Sequence, residues 1–110
     1  MKPLFIPLRT EYFRAFERGE KTVEYRRYGR GWNERTCLVG KTAVLSHGYS
    51  GARLIAIVAS FRIIRAAEIN STIYSHDTLL AAISLDEIRP LPPRTGNPAP
   101  TWRNPADARV

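Results

Sequence analysis

Residues 52–64 have the sequence ARLIAIVASFRII, a long apolar stretch that is rich in β-branched residues. Such residues favour a β-strand. Residues 42–46, TAVLS, have the same character, and the five residues between the two segments, HGYSG, contain two glycines that suit a tight turn. The sequence therefore predicts a β-hairpin formed by strands 42–46 and 52–64. Arg62 and Arg65 keep the apolar run below the roughly 18 residues that a membrane-spanning helix needs.

The chain before this hairpin is predicted to form two further strands and a helix. Residues 4–8, LFIPL, are apolar with β character, and their proline is typical of a sheet edge or an interrupted strand. Thr10 can cap a helix that ends near Gly19, so a short helix is expected over residues 10–18. Residues 21–28, KTVEYRRY, combine β-branched and aromatic residues and favour a strand after the turn at Gly19.

The chain after the hairpin is predicted to contain one more strand. Residues 66–70 suit a single helical turn, and residues 79–85, LLAAISL, fit a strand or a helix by periodicity alone. A strand is favoured because the run is short and Pro90 follows it closely. Six of the eight prolines occur from residue 90 onward, which predicts an extended tail over residues 90–110.

Together these segments predict a mainly β protein with one or two short helices (α+β). Five or six short, mostly antiparallel strands favour a small β-barrel over a βαβ sheet. A chain of 110 residues has the size of one domain. The barrel is accordingly assigned to residues 1–89 and the proline-rich tail to residues 90–110.

The charge of the chain favours an anionic partner. Seventeen Lys and Arg residues outnumber ten Asp and Glu residues, which gives a formal net charge of +7. Residues 1–65 carry 13 of these cations and 5 of the anions, so the basic function is expected there. Arginine accounts for 14 of the 17 cations, and its planar group binds phosphates and stacks on bases.

The composition also excludes several classes of protein. One cysteine cannot form an internal disulfide framework, and two histidines beside it offer no zinc-binding spacing, so no metal and no cofactor are expected. The first residues, MKPL, lack the apolar core of a signal peptide. We therefore expect a soluble, cytoplasmic protein that does not bind membranes.

Residues 19–26, GEKTVEYR, include Lys21, Glu24 and Arg26, whose charged side chains lie close together in the sequence. In a regular strand Glu24 and Arg26 share one face, because side chains alternate. Lys21 meets Glu24 only if it lies in the turn before regular strand geometry begins. That placement sets an ammonium, a carboxylate and a guanidinium around one cleft, an arrangement used for acid–base and oxyanion chemistry. The alternative is a surface ion pair of Glu24 and Arg26 with a neighbouring strand, worth at most about 1 kcal/mol.

The pattern Gly-x-Lys-Thr-x-Glu-x-Arg at residues 19–26 resembles the signature of the ASCH domain family, which is similar to PUA domains. Residues 45–54, LSHGYSGARL, look like the hairpin that follows it in bacterial members, and the order of elements over residues 3–89 also fits. The resemblance implies a PUA-like β-barrel with a charged cleft beside the first helix. It also implies RNA-associated roles, with ribonuclease activity or hydrolysis of acylated cytidine in some relatives.

The leading expectation is an ASCH-type domain that binds RNA, preferably single-stranded, or a nucleotide or nucleoside at Lys21, Glu24 and Arg26. Basic residues interleaved with aromatic ones can hold phosphates and stack on bases. The expected ligand-binding residues are Arg26, Arg27, Tyr28, Arg30, Trp32, Ser46, Tyr49 and Arg53. The alternative for the basic stretch is a solubilising face whose aromatic residues turn into the core. Trp32, in a glycine-flanked loop over residues 29–40, is expected to have little core to fill.

A small metal-independent hydrolase, either a ribonuclease or an N4-acylcytidine amidohydrolase, is the alternative function. Glu24 would then activate water, and Lys21 would stabilise developing negative charge. Lys21 matches the lysine of the cytidine-amide hydrolases that the family includes, whereas Glu24 stands where those enzymes have a threonine. Ser46 and His47 are adjacent on a strand and point to opposite faces, so no hydrogen-bonded nucleophilic pair is expected from them.

Overall fold

A computed structural model describes residues 2–92 of the chain. These residues form five strands, one α-helix and one short 3₁₀-helix. In chain order the elements are β1 (Leu4–Leu8), α1 (Thr10–Glu17), β2 (Val23–Arg27), β3 (Thr42–His47), β4 (Arg53–Arg65), the 3₁₀-helix (Ala66–Ile69) and β5 (Leu79–Leu91). The predicted order of elements and the mainly β class are confirmed. Neither helix of this part of the chain has the length and apolar character that a membrane crossing requires.

The five strands form one mixed sheet that curves into a half-barrel. Their order is β1-β3-β4-β5-β2, so β1 and β2 are the edge strands. β1 pairs with β3 in parallel, and the other neighbours are antiparallel. The predicted hairpin is confirmed, with Leu45 of β3 opposite Leu54 of β4. Within the described residues no backbone pairing closes the sheet between β1 and β2.

β5 is longer than the sequence predicted. The strand Leu79–Leu91 includes Pro90, whereas a strand over residues 79–85 and a tail from residue 90 were expected. β2 pairs with β5 only as far as Ser84, and the Leu85 N–H donates to the Thr22 carbonyl, so beyond Leu85 β4 is the single described neighbouring strand of β5. A proline is tolerated on such a one-sided stretch when its nitrogen faces away from the neighbouring strand. The rest of the predicted tail, residues 93–110, lies outside the described residues.

The start of α1 also differs from the prediction. The N-cap position is Arg9, whose side chain makes no capping hydrogen bond, and Thr10 is the first helical residue. The Thr10 Oγ1 atom is instead hydrogen-bonded to His47 Nε2 at 2.8 Å. The predicted capping role of Thr10 is therefore wrong, because a side chain distant in sequence occupies its hydroxyl. The end of the helix agrees with the prediction, since Gly19 follows it with a left-handed φ of 78°.

The main core lies between the sheet and α1. Phe13 and Phe16 of α1 are buried and lie on one face of the helix, as their spacing requires. They belong to one apolar cluster with buried residues of β1, β3 and β5, among them Ile6, Leu45 and Ile83. This packing holds α1 against β3 and β5 of the sheet.

A second, smaller apolar cluster lies on the other face of the same sheet. Leu80 and Ala82 of β5 belong to it, whereas Ala81 and Ile83 belong to the main core, because successive side chains of a strand alternate. The 3₁₀-helix and the segment after it cover this second face. A strand buried on both faces has a continuous apolar sequence, which explains why residues 79–85 fitted a strand and a helix equally.

Replacement of Phe13 by alanine is expected to lower the free energy of unfolding by about 3–5 kcal/mol, because it leaves a cavity beneath α1. Phe5→Ala is the matched control and should cost clearly less, since Phe5 on β1 is 37% exposed. Urea denaturation followed by circular dichroism measures both values. Equal losses in the two variants would contradict the placement of Phe13 in the core.

Candidate functional site

One side chain, that of Arg26, bridges the open side of the half-barrel. Arg26 lies on β2, and its Nη2 atom donates a hydrogen bond of 2.5 Å to the carbonyl oxygen of Pro7 on β1. β1 and β2 are the edge strands, so this bond connects two strands that share no backbone pairing in the described sheet. The two edges therefore meet at Arg26, close to the start of α1.

Glu24 is a buried charge near the point where β1 and β2 meet, with only 6% of its surface exposed. Its Oε2 atom accepts a hydrogen bond of 2.6 Å from Arg26 Nε, because the two residues share one face of β2. Lys21 precedes β2, and its Nζ atom lies 3.6 Å from Glu24 Oε1. The three charges are thus brought together, with Lys21 in the turn before the strand as the predicted contact required. A surface ion pair, the alternative interpretation, is excluded because Glu24 is buried.

Three aromatic rings surround the ammonium group of Lys21. The Nζ atom lies 5.5 Å from the ring centroid of Tyr12, 5.3 Å from that of Phe16 and 5.4 Å from that of Tyr25. All three distances are within the range of a cation–π interaction. The ammonium also donates a hydrogen bond of 2.6 Å to the carbonyl oxygen of Val23. These contacts fix the position of the charge next to Glu24.

One carboxylate oxygen of Glu24 is left for a ligand. Arg26 engages Oε2, whereas no donor in the described part of the chain makes a hydrogen bond with Oε1. Lys21 Nζ, at 3.6 Å, is beyond hydrogen-bond distance and acts on Oε1 through its charge. A ligand with an N–H or O–H group can therefore donate to Oε1 without displacing Arg26.

These charges line a cleft of about 400 Å³. The cleft lies among β1, α1, β2 and the segment after the 3₁₀-helix. Its lining residues are Pro7, Leu8, Arg9, Tyr12, Lys21, Glu24, Tyr25, Arg26, Ile69, Ser71, Ile73 and Tyr74. The volume is in the range of small-molecule sites, about 300–1,000 Å³. The cleft thus combines a charged cluster with aromatic and aliphatic walls.

The predicted ligand-binding residues that follow Arg26 are not all at the cleft. The Arg27 guanidinium lies 5.6 Å from the ring centroid of Tyr74, which lines the cleft. The Tyr28 hydroxyl donates a hydrogen bond of 2.5 Å to Glu34 Oε1. This bond raises the pKa of Tyr28 and lowers the pKa of Glu34. Arg30 is exposed, and neither Tyr28 nor Arg30 lines the cleft.

Trp32 packs against the main core and does not line the cleft. The expectation that its loop leaves it little core to fill is therefore wrong. Asn33 folds the loop back, because its Nδ2 donates to the Gly29 carbonyl at 2.8 Å and its Oδ1 accepts from the Thr36 N–H at 3.1 Å. The half-buried indole lies 4.7 Å beneath the Arg26 guanidinium. The indole of Trp32 thus packs against the Arg26 guanidinium and helps to hold it in position.

Ser46, Tyr49 and Arg53 lie outside this cleft. Ser46 is fully buried, and its Oγ atom has no hydrogen-bond partner among residues 2–92. Ser46 and His47 are not hydrogen-bonded to each other, in agreement with their alternation on β3. Arg53 Nη2 donates a hydrogen bond of 3.0 Å to the Tyr49 carbonyl, and the guanidinium lies 5.3 Å from the ring centroid of Phe5.

Much of the cleft lining was not predicted from the sequence. Tyr12, Ile73 and Tyr74 are not among the expected binding residues, and Ile73 and Tyr74 lie between the predicted helical turn at 66–70 and the predicted strand at 79–85. The available signal was weak: an isoleucine and a tyrosine in an otherwise polar segment. Ile73 is 67% exposed at the cleft, and apolar residues in such a loop are candidates for ligand contact.

Comparison with known proteins assigns the chain to no family. No protein-family model matches the chain. No curated protein matches its sequence. In residues 2–92 no group of three or more His, Cys, Asp or Glu side chains is placed to hold a metal ion.

Replacement of Arg26 by methionine is expected to destabilise the fold by about 3–5 kcal/mol, the cost of leaving a buried carboxylate without its partner. Adding Glu24→Gln should recover part of this loss, because the substitution removes the charge that Arg26 neutralises. Urea denaturation of both single variants and the double variant gives the coupling energy between the two residues.

Arg18→Met is the matched control for this experiment. Arg18 forms an exposed ion pair with Glu20 at 2.8 Å, and exposed pairs contribute little to stability. A loss of stability for Arg26→Met no larger than that of the control would contradict the role of Arg26 in joining β1 to β2 and in neutralising Glu24.

Proposed function

We propose that the chain is an ASCH-type domain with a PUA-like barrel that binds single-stranded RNA, or a nucleotide, in this cleft. The observation that carries the proposal is the cluster of Lys21, Glu24 and Arg26 in a cleft with aromatic walls. These three residues are the Lys, Glu and Arg of the pattern that resembles the ASCH signature. The proposed role is in cytoplasmic RNA metabolism and needs no cofactor.

The walls of the cleft suit a nucleobase. Tyr12, Tyr25 and Tyr74 come from α1, β2 and the segment after the 3₁₀-helix. An aromatic ring offers a stacking surface to any base. Glu24 Oε1 can accept a hydrogen bond from the amino group or ring N–H of a base. A base can enter such a cleft only when it is unpaired, which favours single-stranded RNA over a duplex.

The cations around the cleft suit the phosphate backbone. Arg9 lines the cleft, and Arg27 adjoins it through Tyr74. Neither arginine forms an ion pair with the described part of the chain. Arg30 and Arg35 extend the basic surface along the exposed loop. Cations without an internal partner are available to phosphates, and their contacts weaken as salt rises.

Replacement of Tyr74 by leucine is expected to weaken the binding of a short single-stranded RNA about 5- to 150-fold, the loss expected when one base no longer stacks on a ring, about 1–3 kcal/mol. Leucine keeps an apolar side chain in the second cluster, to which Tyr74 belongs. Fluorescence anisotropy with labelled RNA measures the affinity. In the wild type, a log–log plot of affinity against salt should have a slope of about −0.7 per phosphate contacted.

Tyr28→Leu is the matched control, because Tyr28 directly follows β2 but does not line the cleft. Its RNA affinity should equal that of the wild type, and thermal unfolding verifies that both variants are folded. Failure of the wild type to bind RNA at low salt would refute the proposed function. Equal losses of affinity in the two variants would refute the cleft as the binding site.

Metal-independent hydrolysis is a second candidate function, favoured by the 3.6 Å between Lys21 Nζ and Glu24 Oε1 in the cleft. Glu24 Oε1 has no described hydrogen-bond donor and would activate water. Lys21 would stabilise the negative charge that develops on the substrate. The substrate would be RNA or acylated cytidine, the classes that the resemblance implies.

Glu24→Gln separates the two candidates. If the chain is a hydrolase, this substitution should lower the rate about 10²- to 10⁴-fold while RNA binding persists. If the chain only binds, the wild type should show no turnover, and the variant should still bind RNA because the glutamine side-chain oxygen can accept a hydrogen bond from a base. Product formation from RNA and from acylated cytidine is measured at neutral pH with a metal chelator. Unchanged turnover in the variant would exclude Glu24 as the base.

A further inference from the structure

A second pocket, of about 530 Å³ and largely open to solvent, adjoins the cleft at the start of α1. Its lining residues are Pro7, Leu8, Arg9, Thr10, Arg26, His47, Gly48 and Tyr49. Four of them, Pro7, Leu8, Arg9 and Arg26, also line the cleft. The two cavities are therefore adjacent lobes with Arg9 and Arg26 at their boundary, and a ligand that extends past these side chains enters both.

The two lobes share the cations Arg9 and Arg26 and differ in their other polar groups. The cleft adds Lys21 and the carboxylate of Glu24, whereas the second lobe adds His47 and no acidic residue. Arg9 forms no ion pair within the described part of the chain. Arg26 uses Nε and Nη2 for Glu24 and Pro7, and its Nη1 atom makes no hydrogen bond to a described residue. The boundary thus offers guanidinium donors that the fold itself does not use.

His47 and Thr10 add a polar wall to the second lobe. The imidazole is held in place by the hydrogen bond between its Nε2 atom and Thr10 Oγ1 and by stacking on Phe13, with ring centroids 5.3 Å apart. Tyr49, which is 77% exposed, stands at the rim. An anion in the lobe therefore has both the arginine donors and this fixed polar pair among its lining residues.

We infer that the second lobe is an anion subsite that holds the phosphate of a nucleotide whose base occupies the cleft. The inference rests on the proposed function and makes it more specific: the preferred small ligand is a nucleotide and not the corresponding nucleoside. Arginine suits this role because its planar group can donate two parallel hydrogen bonds to phosphate oxygens. The base then lies beside Glu24 and the phosphate is kept away from that carboxylate.

Competition against labelled single-stranded RNA tests the subsite, with cytidine, cytidine 3′-monophosphate and cytidine 5′-monophosphate as competitors. At least one monophosphate should compete about 10- to 100-fold more tightly than cytidine, the gain expected from one or two charge-assisted hydrogen bonds. Arg9→Gln should remove most of this gain, measured within the variant as the ratio of the affinity for the monophosphate to the affinity for cytidine. Arg9 is exposed, so the variant is expected to fold, and thermal unfolding verifies this.

Arg18→Gln is the matched control, because it makes the same change of charge near the end of α1 but outside both lobes. It should keep the full difference between nucleotide and nucleoside. Equal effects of the two substitutions would overturn the subsite and indicate long-range attraction alone. Competition by cytidine with no gain from either phosphate would overturn the subsite and leave RNA binding intact. Absence of binding by RNA itself would refute the proposed function.

Discussion

The guanidinium of Arg26, on β2, makes three contacts that hold β2, β1 and the loop over residues 29–40 together. Its Nη2 atom reaches the Pro7 carbonyl on β1, its Nε atom binds the carboxylate of Glu24, and its flat face lies over the indole of Trp32. A planar group with donors in its plane and a polarisable face can make these contacts at the same time, and an ammonium group cannot. The half-barrel is thus held at its open side by a side chain, which leaves room there for a cleft.

The charges of the cleft depend on one another for their positions. A carboxylate as buried as that of Glu24 is costly unless cations neutralise it. Arg26 supplies a direct bond, and Lys21 supplies a second charge that three aromatic rings and a backbone carbonyl hold in place. The site is therefore organised before any ligand arrives, and a ligand that uses it does not have to immobilise long, flexible side chains.

Local patterns predicted the features of this fold that depend on neighbouring residues. The hairpin of β3 and β4 and the juxtaposition of Glu24 with Arg26 follow from strand alternation over a few residues. Features set by distant partners were missed. The Thr10 hydroxyl is hydrogen-bonded to His47 and does not cap the helix. β5 continues through Pro90, because β2 pairs with β5 only as far as Ser84 and leaves that side of β5 free of a strand. Tyr74, which lines the cleft from the segment after the 3₁₀-helix, was missed for the same reason, because it contacts Arg27 only in the folded chain.

The strand order also decides when the cleft can exist. Each edge strand pairs with a strand that comes later in the chain: β1 with β3, and β2 with β5, where Val23 lies opposite Ser84. Contacts between residues so far apart in sequence close large loops and form slowly. During synthesis β1, α1 and β2 leave the ribosome well before β5. Until β5 arrives, β2 has no strand to pair with, and the charges that it carries remain in water. The cleft is therefore a late product of folding, completed by a strand that contributes none of its lining.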